Sequence, residues 1–245
     1  MSALKLFPIT ALLLLASGSI ASNPPRIAII IDDIGYRLDA GQRAIELPGP
    51  VSFAVLPGTP RARVLATLAF DSGKEVLLHL PLQAGSDDTM DDPFGLDLYM
   101  SREEFGDTFE RALSSVPHAI GVNSHRGSLL TRHPGHMLWL MENINAHENL
   151  FFVDSFTTLE SVAVRIANEI GVEARKRDVF LDPDRAPETV AREFERMKKL
   201  AEKRGSVIAI GHPYAATLDL LERELPKLAA EGYELVTISE LVQTR

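Results

Sequence analysis

Arg26-Ile27-Ala28-Ile29-Ile30-Ile31-Asp32-Asp33-Ile34-Gly35-Tyr36 runs five apolar residues straight into two adjacent carboxylates and then a glycine. An unbroken aliphatic run of this kind suits a strand buried on both faces, as in a parallel sheet. Open α/β sheets and barrels keep their chemistry at the carboxyl ends of such strands. Two acids there can divide the work, one binding a metal and the other moving a proton. The plainer alternative is one Asp capping a helix and the other facing solvent.

Working outward, short apolar runs alternate with helical patterns along the whole chain. Strands are predicted at 27–31, 51–55, 75–80, 119–122, 150–153, 177–181, 206–210 and 234–238. Helices are predicted near 38–47, 60–71, 102–115, 134–146, 158–169, 187–203 and 216–230, with a short one after 239. Thr59-Pro60 reads as N-cap then first helical residue, Ser101 with Glu104 and Thr157 with Glu160 as capping boxes, and Pro187 as a helix start. Gly171 and Gly205 stand where helices stop. Repeated strand-then-helix units imply a parallel sheet or a closed barrel, and seven or eight of them favour a (β/α) barrel, complete or incomplete, over a doubly wound open sheet. Ala84 to Asp97, with five Asp, two Gly and one Pro, interrupts the rhythm as a long acidic loop, either rimming a cleft or simply solvated.

The chain of 245 residues opens with Lys5, an apolar run from Leu6 to Ala16, and small residues at Ser19 and Ala21. This is the pattern of a secretory signal peptide covering residues 1–21, with 22–245 as one barrel domain. An uncleaved anchor is the alternative, although the run is short for a permanent span. The net charge of −9 disfavours nucleic acid and anionic lipid as partners. Export without a single cysteine points to a periplasmic compartment and a fold held by its core. Any metal must then be held by His and carboxylate.

The placement of His and Asp is the functional signal. Asp32 and Asp33 end the first strand, His79 the third, Asp154 and Ser155 the fifth, Asp182 the sixth and His212 the seventh, while His125 follows the fourth. Strand ends on one side of a barrel converge, so these residues are expected to ring one cleft. Asp33, His79 and His125 form an open three-ligand set for a divalent ion, with Zn²⁺ the expected metal. His212 suits a general acid and Asp32 a general base acting on a water that the cation acidifies. Asp154 and Asp182 fit either the positioning of a ligand or of His212, or helix caps and buried polar partners. His118, His133, His136 and His147 fall in turns or on helices and read as surface, and Trp139 as helix packing. Ser128 lacks a nucleophile-elbow setting, and no strand is followed by a phosphate-binding glycine loop.

These same residues carry a resemblance. Ile29 to Gly35, Ser52-Phe53-Ala54-Val55-Leu56-Pro57, Leu78-His79-Leu80-Pro81-Leu82-Gln83, Gly121 to Ser128, Phe152-Val153-Asp154-Ser155 and Gly211-His212-Pro213 are together similar to the divergent polysaccharide deacetylases. The likeness spans about residues 26 to 242 and implies a distorted barrel of about seven parallel strands. It also implies zinc-dependent removal of N- or O-acetyl groups from an envelope glycan, an acetylated poly- or oligosaccharide. By position, Asp32 resembles the base, Asp33 the metal carboxylate, His79 the first metal His and His212 the late catalytic His.

The departures are specific. Gln83 stands in place of the second motif His, which leaves His125 to supply that ligand. Ile34 replaces a Gly, with Gly35 one place on, and Asn123-Ser124-His125-Arg126-Gly127-Ser128 varies the usual Asn-Asn-His-Met-Gly-Ser. Arg132-His133-Pro134 resembles an Arg-x-Pro element but falls at a helix start. Gln83 motivates a second expectation, a periplasmic glycan-binding or regulatory protein that keeps the scaffold with little turnover. A metal-dependent phosphoesterase is a third, disfavoured by the scarcity of Arg and Lys at the strand ends other than Arg126.

Overall fold

The computed structural model describes residues 23–85 and 91–243. The leader pattern, and the middle of the acidic loop, lie outside the described residues. Among the described residues, no helix is long and apolar enough to cross a membrane.

The strands are β1 (Arg26–Ile34), β2 (Ser52–Val55), β3 (Val76–Leu82), β4 (Ala119–Arg126), β5 (Phe151–Asp154), β6 (Ala174–Lys176), β7 (Val179–Phe180), β8 (Ser206–Gly211) and β9 (Glu234–Leu235). The helices are α1 (Leu38–Ile45), α2 (Ala62–Asp71), α3 (Arg102–Ser115), α4 (Pro134–Asn145), α5 (Ala163–Ile170), α6 (Pro187–Arg204), α7 (Ala215–Glu224) and α8 (Ile238–Val242). All strand pairs are parallel, in the order β6-β5-β4-β3-β2-β1-β8-β7, with β9 pairing only β1. The sheet curls into an incomplete barrel whose edges are β6 and β7.

The strand expected at 177–181 is split at this seam. Arg177 N donates to Asp154 O on the β5 side and Asp178 N donates to Ile208 O on the β8 side, each at 2.9 Å. Two residues thus cross between the sheet edges, which leaves no room for a continuous five-residue strand. Three of the nine strands are no longer than three residues; with β6 and β7 counted as one and the two-residue β9 left out, seven remain, the number expected.

Period-two alternation sorts the strands into two cores. Ile27, Ile29 and Ile31 face the helices, together with Phe53, Leu78, Phe152, Val207 and Ala209. Ala28, Ile30, Leu77, Phe151, Val153, Ile208 and Ile210 face inward and meet Ile238, Leu241 and Val242 of α8. Helix α8 is seated by Glu75, just before β3, whose carboxylate accepts from Ile238 N, Ser239 N and Ser239 Oγ. The amino end of the barrel is therefore plugged, and the carboxyl end is left for polar groups.

Helix signals held in part. Ser101 and Glu104 form the expected capping box on α3, α6 starts at Pro187, and Gly171 and Gly205 adopt left-handed C-cap conformations. Two caps did not form. Thr59 Oγ1 donates to Leu56 O and α2 starts only at Ala62, because Thr59 is used in the turn that follows β2. Thr157 Oγ1 donates to Arg126 O, tying two loops together, and α5 begins at Ala163 without a side-chain cap.

Candidate metal centre

The inward-facing parity that fills the barrel with Ile30, Leu77 and Ile210 continues, two residues on, as Asp32, His79 and His212. Strand β4 presents Gly121, Asn123 and His125 on the same parity. Regular alternation would send Asp33 outward, away from Asp32. A bulge prevents this: Ile31 pairs with Phe53 but Ile34 with Val55, so one extra residue is inserted at the Asp pair. Asp33 takes a left-handed φ of 58°, and both carboxylates turn toward the same mouth. Non-glycine residues pay for such a conformation, and it persists only where surrounding structure dictates it.

Three ligand atoms meet there. Asp33 Oδ1 lies 3.2 Å from His79 Nε2 and 3.2 Å from His125 Nδ1. The two ring nitrogens are 3.0 Å apart. Asp33 Oδ1 is buried and accepts no well-formed hydrogen bond. His79 Nδ1 is 2.6 Å from Asn123 Oδ1, and the Asn123 amide donates to Asp32 Oδ1 at 2.7 Å. With its amide nitrogen committed to Asp32, Asn123 offers His79 only an acceptor. The Nδ1 proton is thereby fixed, and the ring turns Nε2 toward Asp33 and His125.

Three ligand atoms so close require something positive among them, a proton or a cation. Tetrahedral coordination with bonds near 2.1 Å separates ligand atoms by about 3.4 Å, close to the spacing found. The donor set of one carboxylate and two imidazoles, with Asp32 Oδ2 3.6 Å from His79 Nε2, therefore fits a divalent ion such as zinc.

The electrostatics agree. Burial alone would raise the Asp33 carboxyl, but His125 and His79 outweigh it and hold it well below the usual carboxylate range. Burial pushes Asp32 up, and His79, His212 and Asn123 offset this only in part. Burial depresses His125. His79 is driven the other way: Asp32 and Asp33 overcome the cost of burial and favour positive charge at its ring. The field that draws a proton there would equally draw a cation.

Opposite this triad, His212 stands with its Nε2 3.7 Å from Asp33 Oδ2. Asp182 holds it by two bonds, from His212 N at 2.7 Å and from His212 Nδ1 at 2.9 Å, and also accepts from Thr217 Oγ1 at 2.7 Å. Burial works against a charged His212, but the Asp182 bond and the nearby Asp32 and Asp33 raise its pKa. A cavity of about 190 Å³ lies between Asp32, His79, His125, Ser155, Arg177 and His212.

Asp154 stands apart from this group. Its parity is that of Phe152, outward, and its carboxylate accepts from Phe156 N and Ser161 Oγ, bracing the loop after β5. Ser155 takes the inward place instead. Sequence reading also passed over Asn123 and Arg177. Asn123 was signalled by its position two residues before His125. Arg177 had no such signal, because it sits on the seam, where Nε donates to Ser155 O and the guanidinium lies over Phe180. Gln83 is buried, and its Oε1 accepts from Leu98 N, anchoring the far end of the acidic loop. Of the remaining histidines, His147 meets Glu110, His118 stacks on Phe70, and His136 packs beside Trp139, which lies edge-on to Phe105.

Comparison with known proteins gives a consistent result. The family described as divergent polysaccharide deacetylase matches residues 29–242. The uncharacterized protein YibQ of Escherichia coli K12 is 38% identical over 232 residues, covering 95% of this chain and 71% of YibQ. The crystal structure of the uncharacterized protein ATU2773 from Agrobacterium tumefaciens C58 superposes with a TM-score of 0.85 at 21% identity, covering 91% of each chain. BA3943, a CE4 family pseudoenzyme from Bacillus anthracis, shares the fold at a TM-score of 0.55 and 16% identity, covering 90% of this chain and 66% of its own.

Proposed function

The chain belongs to the divergent polysaccharide deacetylase family, and on that premise we propose that it is a metal-dependent hydrolase releasing acetyl groups from an envelope glycan. The observation that carries this reading is the convergence of Asp33, His79 and His125 on one point, flanked by Asp32 and His212. A divalent ion held there would acidify a water and polarise an acetyl carbonyl. Asp32, buried and hydrogen-bonded by Asn123, would take the proton from the attacking water. His212, its Nδ1 held by Asp182, would present Nε2 to the departing amine or alcohol and protonate it. Arg177 and Ser155, tied by the bond from Arg177 Nε to Ser155 O, would line the cavity that receives the substrate.

The leader pattern before residue 22 and the lack of cysteine support a periplasmic location, with residues 22–245 acting as one domain after leader removal. Acetate release from N-acetylglucosamine oligomers by the zinc-loaded protein tests the reading. We expect turnover that falls by at least about 100-fold in Asp32→Asn and in His212→Ala. Equal rates in wild type and both variants would overturn the mechanism.

A second reading is favoured by Gln83, which serves the acidic loop rather than an ion. On it, the chain binds glycan on a deacetylase scaffold without hydrolysing it. The B. anthracis relative by fold is named a pseudoenzyme. Saturable glycan binding with no acetate released at any zinc concentration would select this reading.

A further inference from the structure

A second and larger cavity, of about 800 Å³, opens from the same centre and shares Asp33 with it. Its walls come from the turn after β1 and the start of α7, with Arg185 at the rim. Two aromatic rings face it. Tyr36 is 65% exposed, and Tyr214 stacks on His212 at 5.2 Å with an interplanar angle of 22°. An exposed tyrosine on a cleft contiguous with the metal centre, as Tyr36 is, suits the apolar face of a sugar ring.

The charges in this cleft are unequal. Arg37 is occupied by Asp39 at 2.6 Å, and Asp219 by Arg43. Arg185 lies over the Tyr214 ring at 4.2 Å and makes no ion pair among the described residues. It is thus an uncommitted cation on a chain of net charge −9. Its side chain is exposed and rests on Tyr214, with the guanidinium edge left open to the cleft. The first turn of α7, which opens on the cleft, carries neither a side-chain cap nor an acid, so its field adds to that of Arg185.

We propose that this cleft is a subsite for a carboxylate-bearing sugar next to the acetylated one, with Tyr36 as the ring platform and Arg185, seated on Tyr214, reading the acid. The inference rests on the glycan reading above and sharpens it to acidic glycans. A planar guanidinium meets a carboxylate by two parallel bonds, and burial under a bound sugar would strengthen them.

The test is binding, measured by calorimetry on the zinc-loaded Asp32→Asn variant of the full mature chain. Three tetrasaccharide probes are compared: alternating N-acetylglucosamine and N-acetylmuramic acid, its methyl ester, and an alternating N-acetylhexosamine–uronic acid. We expect at least one acid to bind about tenfold or more tighter than the ester. The better acid then identifies whether an ether-linked or a ring carboxylate is read. Arg185→Gln should bring the acid-to-ester ratio near one, and Arg185→Lys should retain part of it. Equal binding of all three probes, or a ratio unchanged in Arg185→Gln, would overturn the subsite. Acetate release separates this from the broader reading. Equal turnover of acid and ester leaves the hydrolase standing without the subsite, whereas acid-selective binding without acetate leaves the subsite standing without hydrolysis.

Discussion

His79 and Asn123 are register partners on neighbouring strands, and the 2.6 Å contact between His79 Nδ1 and Asn123 Oδ1 sets the tautomer of the candidate ligand. The same amide reaches Asp32 through Nδ2, so one side chain orients both a metal ligand and the expected base. Partners of this kind raise metal affinity about 10- to 100-fold. Asn123→Ala should therefore weaken zinc binding by that factor, as read by competition with a chelating dye. Its unfolding midpoint in urea should be measured alongside, to separate loss of the ligand's support from loss of the fold. Unchanged zinc affinity would show that Asn123 does not serve the centre.

Asp182 should set the alkaline limit of turnover. Its carboxylate raises the pKa of His212, and a general acid is lost as pH climbs through that pKa. Asp182→Asn removes the charge while keeping an acceptor, so the His212 pKa falls and the alkaline limb of kcat/KM moves to lower pH. Acetate release profiled from pH 5 to 10 checks this. A limb that stays in place would mean that another group donates the proton.

Gly35 follows the Asp pair with a φ of 138°, and a Cβ there would lie 2.0 Å from Thr59 Oγ1. The strained turn and the close approach of the chain after β2 both require a missing side chain. Gly35→Ala should cost about 1–3 kcal/mol, measured by urea unfolding, and should displace Asp33 enough to lower metal content. Wild-type stability and zinc content would contradict the role given to this turn.

Glu75 acts at the other end of the barrel. Its carboxylate accepts from Ser52 Oγ as well as from the first residues of α8. Glu75→Ala should cost about 2 kcal/mol, because it leaves buried donors without an acceptor. The loss should appear in unfolding, with zinc affinity little changed, since plug and centre occupy opposite barrel ends. A variant that loses zinc while keeping its stability would refute that separation.

Much of this arrangement is legible in the chain because strand parity is a strict rule. Once Ile30 is inside, Asp32 follows two residues later, and the same count leads from Leu77 to His79 and from Ile210 to His212. The rule also separates Ser155 from Asp154, a distinction that proximity to a strand end alone misses. Two features escape it. The bulge that turns Asp33 inward depends on pairing between β1 and β2, which lies in no local pattern. Arg177 owes its position to the seam, where two short strands meet and hydrophobic runs are too brief to mark strands. One cap failed where a Thr was claimed by a loop distant in sequence, as with Thr157 and Arg126, and the other where Thr59 was claimed by its own turn.

The central claim is that Asp33, His79 and His125 grip a single cation. Anomalous diffraction at the zinc edge, from crystals of residues 22–245 grown with zinc, tests it most directly. The account predicts one strong peak about 2.0–2.2 Å from Asp33 Oδ1, His79 Nε2 and His125 Nδ1 together. No peak at that point, or an ion held elsewhere by other side chains, would contradict it.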